Sequence, residues 1–273
     1  MSEYAQKIQE TSLQLQQKIT SQPRLAIILG TGLGGLADQL ENPVRILYED
    51  IVHFPTSTVQ GHLGQLVFGK LFGKDVVMMQ GRFHYYEGYT MREVVYPLYV
   101  FKQLGVEQVI LTNACGAINE DYSPGDLVVI DDFINLVFDN PLIGINNDQL
   151  GPRFPDMSEP YSNELIKLAH RCADQTGVSL KQGVYGFFSG PYYETKAEIQ
   201  AFKRLGCDLI GMSTVPETIA ANHAGMKVLA IACATNMATG IQKVKHDHLR
   251  VVEIANKASE QLSMLIETIV KNS

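Results

Sequence analysis

Short apolar runs recur along the chain and alternate with segments of helical period. Residues 3–20 carry Ile8, Leu13, Leu15 and Ile19 on a polar background and predict a helix that Pro23 ends. Residues 24–29 are apolar enough for a strand covered on both faces, followed by the glycine-rich stretch 30–35 and a helix near 36–40. Residues 66–72 and 75–79 flank Gly73-Lys74 and predict a hairpin. A helix over 91–104 and strands at 109–112 and 126–130 come next. Residues 139–160, rich in Asn, Pro and Gly, form a long loop of the kind that function usually explains. Helices are predicted at 164–176, 196–205, 217–224 and 247–270, and strands at 183–188, 208–210 and 227–232.

Strands alternating with helices along the whole length predict an α/β fold. The expected architecture is a single domain over residues 1–273, with a mixed central β-sheet flanked by helices on both faces. The 273 residues suffice for one large domain, and 45% apolar with 19% charged residues is ordinary for a globular chain. A formal charge of −7 provides no basic field for nucleic acid. No membrane span is expected, and the polar start of the chain predicts a cytoplasmic location. Cys115, Cys172, Cys207 and Cys233 are far apart and show no metal-ligand spacing, so neither disulfides nor structural zinc are expected. Cys207 and Cys233 sit in apolar surroundings and read as buried thiols.

In such sheets ligands bind beyond the carboxyl ends of strands. Six predicted strand ends carry glycine, hydroxyl, amide or charged residues, which puts one site at one edge of the sheet. Residues 80–89 bring Arg82, His84, Tyr85, Tyr86 and Tyr89 together after a buried strand. They read as one wall of a site for an anionic, partly planar ligand, or else as a surface loop with a solvated arginine and packed tyrosines. Residues 30–35 fit G-x-G-x-x-G with Glu49-Asp50 downstream, as a dinucleotide-binding dehydrogenase requires. The same loop equally describes backbone N–H groups and the Thr31 hydroxyl around a single phosphate, or a tight turn. The polar residues 53–64 that follow argue against a βαβ unit. Thr31, Arg82, His84, Ser213 and the Ala114 backbone N–H can bind an anion. Glu194 and Asn236 can read a heterocycle edge, or act only as a helix N-terminal acid and a turn residue.

These segments, in this order, resemble the trimeric, low-molecular-mass purine nucleoside phosphorylases over residues 24–265. The matching motifs are Leu29-Gly30-Thr31-Gly32-Leu33-Gly34, Gly61-His62-Leu63-Gly64, residues 80–89, Thr112-Asn113-Ala114, Asn140-Pro141-Leu142-Ile143-Gly144, Arg153-Phe154-Pro155, Gly190-Pro191-Tyr192-Tyr193-Glu194-Thr195, Gly211-Met212-Ser213-Thr214-Val215-Pro216-Glu217 and Thr235-Asn236. The resemblance implies a phosphate site of Thr31, His62, Arg82, His84, Ala114 and Ser213. It implies a ribose site of Tyr86, Tyr193, Met212 and His248, and a base site of Glu194 and Asn236. Catalysis is expected from His84, Glu194, Asn236 and His248, with inorganic phosphate as co-substrate and neither a cofactor nor a metal. Phe154 matches a residue that enters the neighbouring subunit's site in a homotrimer. The chain departs from the pattern at Thr31 (usually serine), at Tyr193 (usually phenylalanine), at Leu63 and Cys115 (usually smaller), and at Met237 (Lys or Ala in some members). Asn236 matches members acting on 6-oxopurine nucleosides such as inosine and guanosine, with xanthosine a further candidate, and either ribose or deoxyribose. A binder without turnover remains an alternative to the enzyme.

Overall fold

The first apolar run forms β1 (Leu25–Leu29), in which every residue is buried. In the computed structural model, which describes residues 2–30, 34–57, 63–241 and 248–273, β1 lies between two parallel neighbours. These are β4 (Lys74–Gln80) and β5 (Gln108–Ala117). β4 is the second arm of the predicted hairpin. Its partner β3 (Gln65–Leu71) runs antiparallel, and Phe72 and Gly73 both take positive φ at the turn, the geometry that suits strand twist. Beyond β3 lies β2 (Glu41–Leu47), which the apolar pattern does not predict. Only Ile46 of it is buried, and it carries Pro43, as an outer strand can.

β6 (Leu127–Asn135), β7 (Leu180–Phe187) and β8 (Leu209–Gly211) run parallel to one another and opposite to β5. β9 (Lys227–Met237) pairs parallel with β5 and antiparallel with β6. The sheet order β2-β3-β4-β1-β5-β8-β7-β6-β9, with the extra β5–β9 pairing, therefore closes β5, β8, β7, β6 and β9 into a barrel. Three of the strands are longer than their apolar runs. β5 continues through Asn113–Ala117 because β9 and β8 supply partners. β6 and β9 pass through irregularities at Asp131 and Thr235 that interrupt the alternation.

Helices cover both faces. α1 (Glu3–Lys18), α2 (Met91–Val94), α3 (Tyr96–Gln103) and α6 (Val215–His223) form one group, and α4 (Asn163–Thr176) and α7 (His248–Asn272) pack together as another. Both groups reach β9, where residues 228–235 are all buried. The single helix predicted over 91–104 is broken at Val95, because Pro97 has no N–H to continue the ladder. The helix predicted near 36–40 is instead a 3₁₀ segment, Gly34–Gln39. α5 (Lys196–Leu205) covers a smaller apolar cluster of Ile118, Phe188, Ile199, Phe202, Cys207, Ile210 and Ala238. Between Asn135 and Asn163 the chain forms neither helix nor strand, as the loop prediction requires. Cys207 and Cys233 are buried free thiols, as are Cys115 and Cys172.

Candidate functional site

The dinucleotide reading fails on topology. The segment after the glycine loop is a 3₁₀ turn, and the next strand, β2, pairs antiparallel at the far side of β3 rather than parallel beside β1. The end of β1 instead crosses β5 closely. Gly30 N–H donates to Thr112 Oγ1 at 2.9 Å, and a Cβ on Gly30 would stand 2.8 Å from the Thr112 carbonyl oxygen. Only glycine allows that approach.

The cavity lies where β8 leaves β5. The two strands pair antiparallel only through Gly116 and Ala117, so residues after Gly211 turn back along β5 toward Ala114. A space of about 310 Å³ opens there, within the range of small-molecule sites. It is lined by His84, Tyr86, Ala114, Tyr193, Glu194, Met212, Ser213 and Asn236, all residues singled out from the sequence. Thr31, His62 and the side chain of His248 lie outside the described residues. Two expectations about placement need correction. Ala114 and Asn236 sit inside β5 and β9, not beyond their ends, and the opposed direction of β6–β8 means that no single edge collects all six segments. Phe154 does not line this cavity and is 87% exposed.

Next to Ser213, Arg82 is only 2% exposed and does not itself line the cavity. Its Nη1 donates to Ser213 Oγ at 3.0 Å and to Thr214 Oγ1 at 3.4 Å. Its Nε is 3.1 Å from the equally buried carboxylate of Glu217. Thr214 has φ 74° and ψ −48°, strained for a β-branched residue, and also accepts from Asn113 Nδ2 at 2.9 Å. That kink turns Ser213 into the cavity and starts α6 directly behind it. His84 is held from its own loop: its backbone N–H and ring Nδ1 both donate to Glu87 Oε1, at 2.8 and 2.9 Å. Its ring stacks on Tyr86 with centroids 4.7 Å apart. Burial pushes the Tyr86 hydroxyl up to about 12, so it stays protonated as a donor.

On the β9 side, the strand bulges at Thr235, whose Oγ1 donates to the Cys115 carbonyl at 3.1 Å. The bulge sets Asn236 opposite Gly116, where its amide faces the cavity. Glu194 precedes α5, whose N-cap is Thr195, and is nearly buried. Burial, with a contribution from the Glu198 charge, raises its carboxyl from 4.5 to about 7. A carboxyl and an amide thus line one cavity together with imidazole, hydroxyl and backbone donors.

Sequence reasoning missed four contributors. Glu217 and Glu87 stood inside quoted motifs, and their signal was spacing. Glu87 follows His84 by three residues, and Glu217 falls at the third position of the helix that starts behind Ser213. Cys115 lines the wall beside Ala114, and Val251 reaches the cavity one turn into α7.

The chain belongs to the phosphorylase superfamily, whose family model matches residues 24–271. Among its relatives, purine nucleoside phosphorylase 1 of Geobacillus stearothermophilus is 50% identical over 265 residues, 97% of each chain. Purine nucleoside phosphorylase of Bos taurus is 40% identical over 269 residues, covering 96% of this chain and 93% of its own. The solved structure of Schistosoma mansoni purine nucleoside phosphorylase in complex with inosine matches with a TM-score of 0.94 at 36% identity, covering 98% of this chain and 96% of that one.

Proposed function

We propose that this protein is a purine nucleoside phosphorylase that cleaves 6-oxopurine ribonucleosides and deoxyribonucleosides with inorganic phosphate, in purine salvage. The observation that carries this reading is the cavity, which joins the Glu194–Asn236 pair to the donors of Ala114, Ser213 and His84. Phosphate enters at ribose C1′ and forms the C1′–O bond, while the C1′–N9 bond breaks and its electron pair leaves on the purine. Positive charge on the sugar meets the phosphate held by Ala114, Ser213 and His84 near Arg82, with Thr31 and His62 in the same role. Negative charge on the base meets the Asn236 amide at N7 and O6, while Glu194 accepts from N1–H. Tyr86, Tyr193 and Met212 pack the ribose, and His248 orients the 5′-hydroxyl. Phosphate is the co-substrate, and the scheme calls for no further cofactor.

We assign the whole chain to one domain, acting as a cytoplasmic homotrimer in which Phe154 reaches the neighbouring site. The support for assembly is the loop over 138–154, which exposes Phe138, Ile143, Ile145 and Phe154, more apolar surface than a monomer usually leaves in one loop. Four buried free thiols suit a reducing compartment. The test is base release from inosine, guanosine, xanthosine and adenosine, each with and without phosphate. Phosphate-dependent release from the 6-oxopurines, with adenosine poor, is expected; release without phosphate would make the protein a hydrolase.

A further inference from the structure

The phosphate site contains a resident anion. Arg82 is a fully buried guanidinium, and water cannot solvate its charge. Its ion-pair partner is Glu217, with Nε and Oε1 3.1 Å apart and both side chains 3% exposed. Ser213 and Thr214 take the Nη1 side. The other Glu217 oxygen, Oε2, is buried and has no hydrogen-bond partner among the described residues. A buried carboxylate with one oxygen unsatisfied is costly, so stability alone does not account for it. Glu217 is also in the first turn of α6, where the helix dipole favours an anion. The phosphate placed beside Ser213 must therefore share the charge of Arg82 with Glu217.

We infer that Glu217 is a positioning residue of the phosphate site: it balances the charge of Arg82 and holds its guanidinium aimed while phosphate is absent, and it weakens phosphate binding by repulsion. This rests on the phosphate reading given above. The carboxylate touches neither the sugar nor the base, since it lies behind Ser213 and outside the cavity lining. Its benefit is an arginine held ready, and its cost falls on phosphate alone.

The experiment compares wild type with Glu217→Gln, which keeps an oxygen for Nε but removes the charge, and Glu217→Asp, which keeps the charge but shortens its reach. Thermal denaturation is followed with and without inorganic phosphate, and KM is measured for phosphate and for inosine. Glu217→Gln is expected to melt lower without phosphate, to gain a larger rise in Tm from phosphate than wild type, and to show a phosphate KM lower by about fivefold. Its inosine KM is expected to stay within about twofold of wild type. Glu217→Asp is expected to raise the phosphate KM by about fivefold with the inosine KM again unchanged. A phosphate KM and a phosphate-induced Tm rise in Glu217→Gln equal to wild type would overturn the inference. If that variant does not fold, Glu217→Asp decides, and equal effects on both KM values, or none, would overturn it. Wild-type base release that ignores phosphate would instead remove the phosphate reading itself, whatever the variants do.

Discussion

Replacing Glu194 by glutamine separates what the site costs the fold from what it does for the substrate. The folded carboxyl holds its proton up to about pH 7, against an ordinary value of 4.5, chiefly because it is buried. Between those two values the folded protein binds more protons than the unfolded chain. Stability is therefore fully present below 4.5 and is lost as pH rises toward 7. Each pH unit in that window costs about 1.4 kcal/mol, so the group removes about 3 kcal/mol by pH 8. Glutamine has nearly the same shape and never ionises. Urea denaturation of the ligand-free protein at a fixed concentration, from pH 4 to 8, measures the difference. The two proteins should be nearly equally stable at pH 4, and the variant should gain to about 3 kcal/mol at pH 8 with an unchanged m-value. The same variant should lose turnover of inosine, because an amide cannot offer the carboxylate that N1–H needs. A difference in stability that does not change with pH would refute the reasoning.

Further outcomes follow from the same geometry. With Glu194 in the proposed role of accepting from N1–H as a carboxylate, kcat/KM for inosine should rise with pH through about 7, and the Glu194→Gln profile should lack that limb. Asn236→Asp should cut inosine turnover by about 100-fold and admit adenosine, since a carboxylate repels O6 but accepts from a 6-amino group; unchanged inosine turnover would remove Asn236 from the base site. Gly30→Ala forces a Cβ to 2.8 Å from the Thr112 carbonyl oxygen, and denaturation should show a loss of about 1–3 kcal/mol together with weaker phosphate use. Phe154→Ala should raise the inosine KM while circular dichroism stays unchanged, because the ring is exposed in its own chain; an unaltered KM would count against its reaching a neighbouring site.

Much of this was legible in the sequence because β1 and most of β4 are buried and announce themselves as apolar runs. β1 and β4 needed nothing more, and Gly73 marked the hairpin. The barrel was not legible. Its closure depends on the antiparallel pairing of β8 with the last residues of β5, and on β6 lying between β7 and β9, both long-range choices with no local signature. The bulge at Thr235 hid the continuation of β9, and with it the reason Asn236 faces the cavity rather than a turn. Of the residues that line the cavity, His84, Ala114, Glu194, Ser213 and Asn236 could be named from their chemistry, and Tyr86, Tyr193 and Met212 from the family resemblance. That Arg82 sits behind Ser213, paired with Glu217, required the fold, since two polar residues distant in sequence give no sign that they will be buried together.

The most direct test of the central claim is the identity of the sugar product. Phosphorus NMR of the protein with inosine and inorganic phosphate should show ribose 1-phosphate growing in equal amount with hypoxanthine. Hypoxanthine accompanied by free ribose, with the phosphate signal unchanged, would contradict the account.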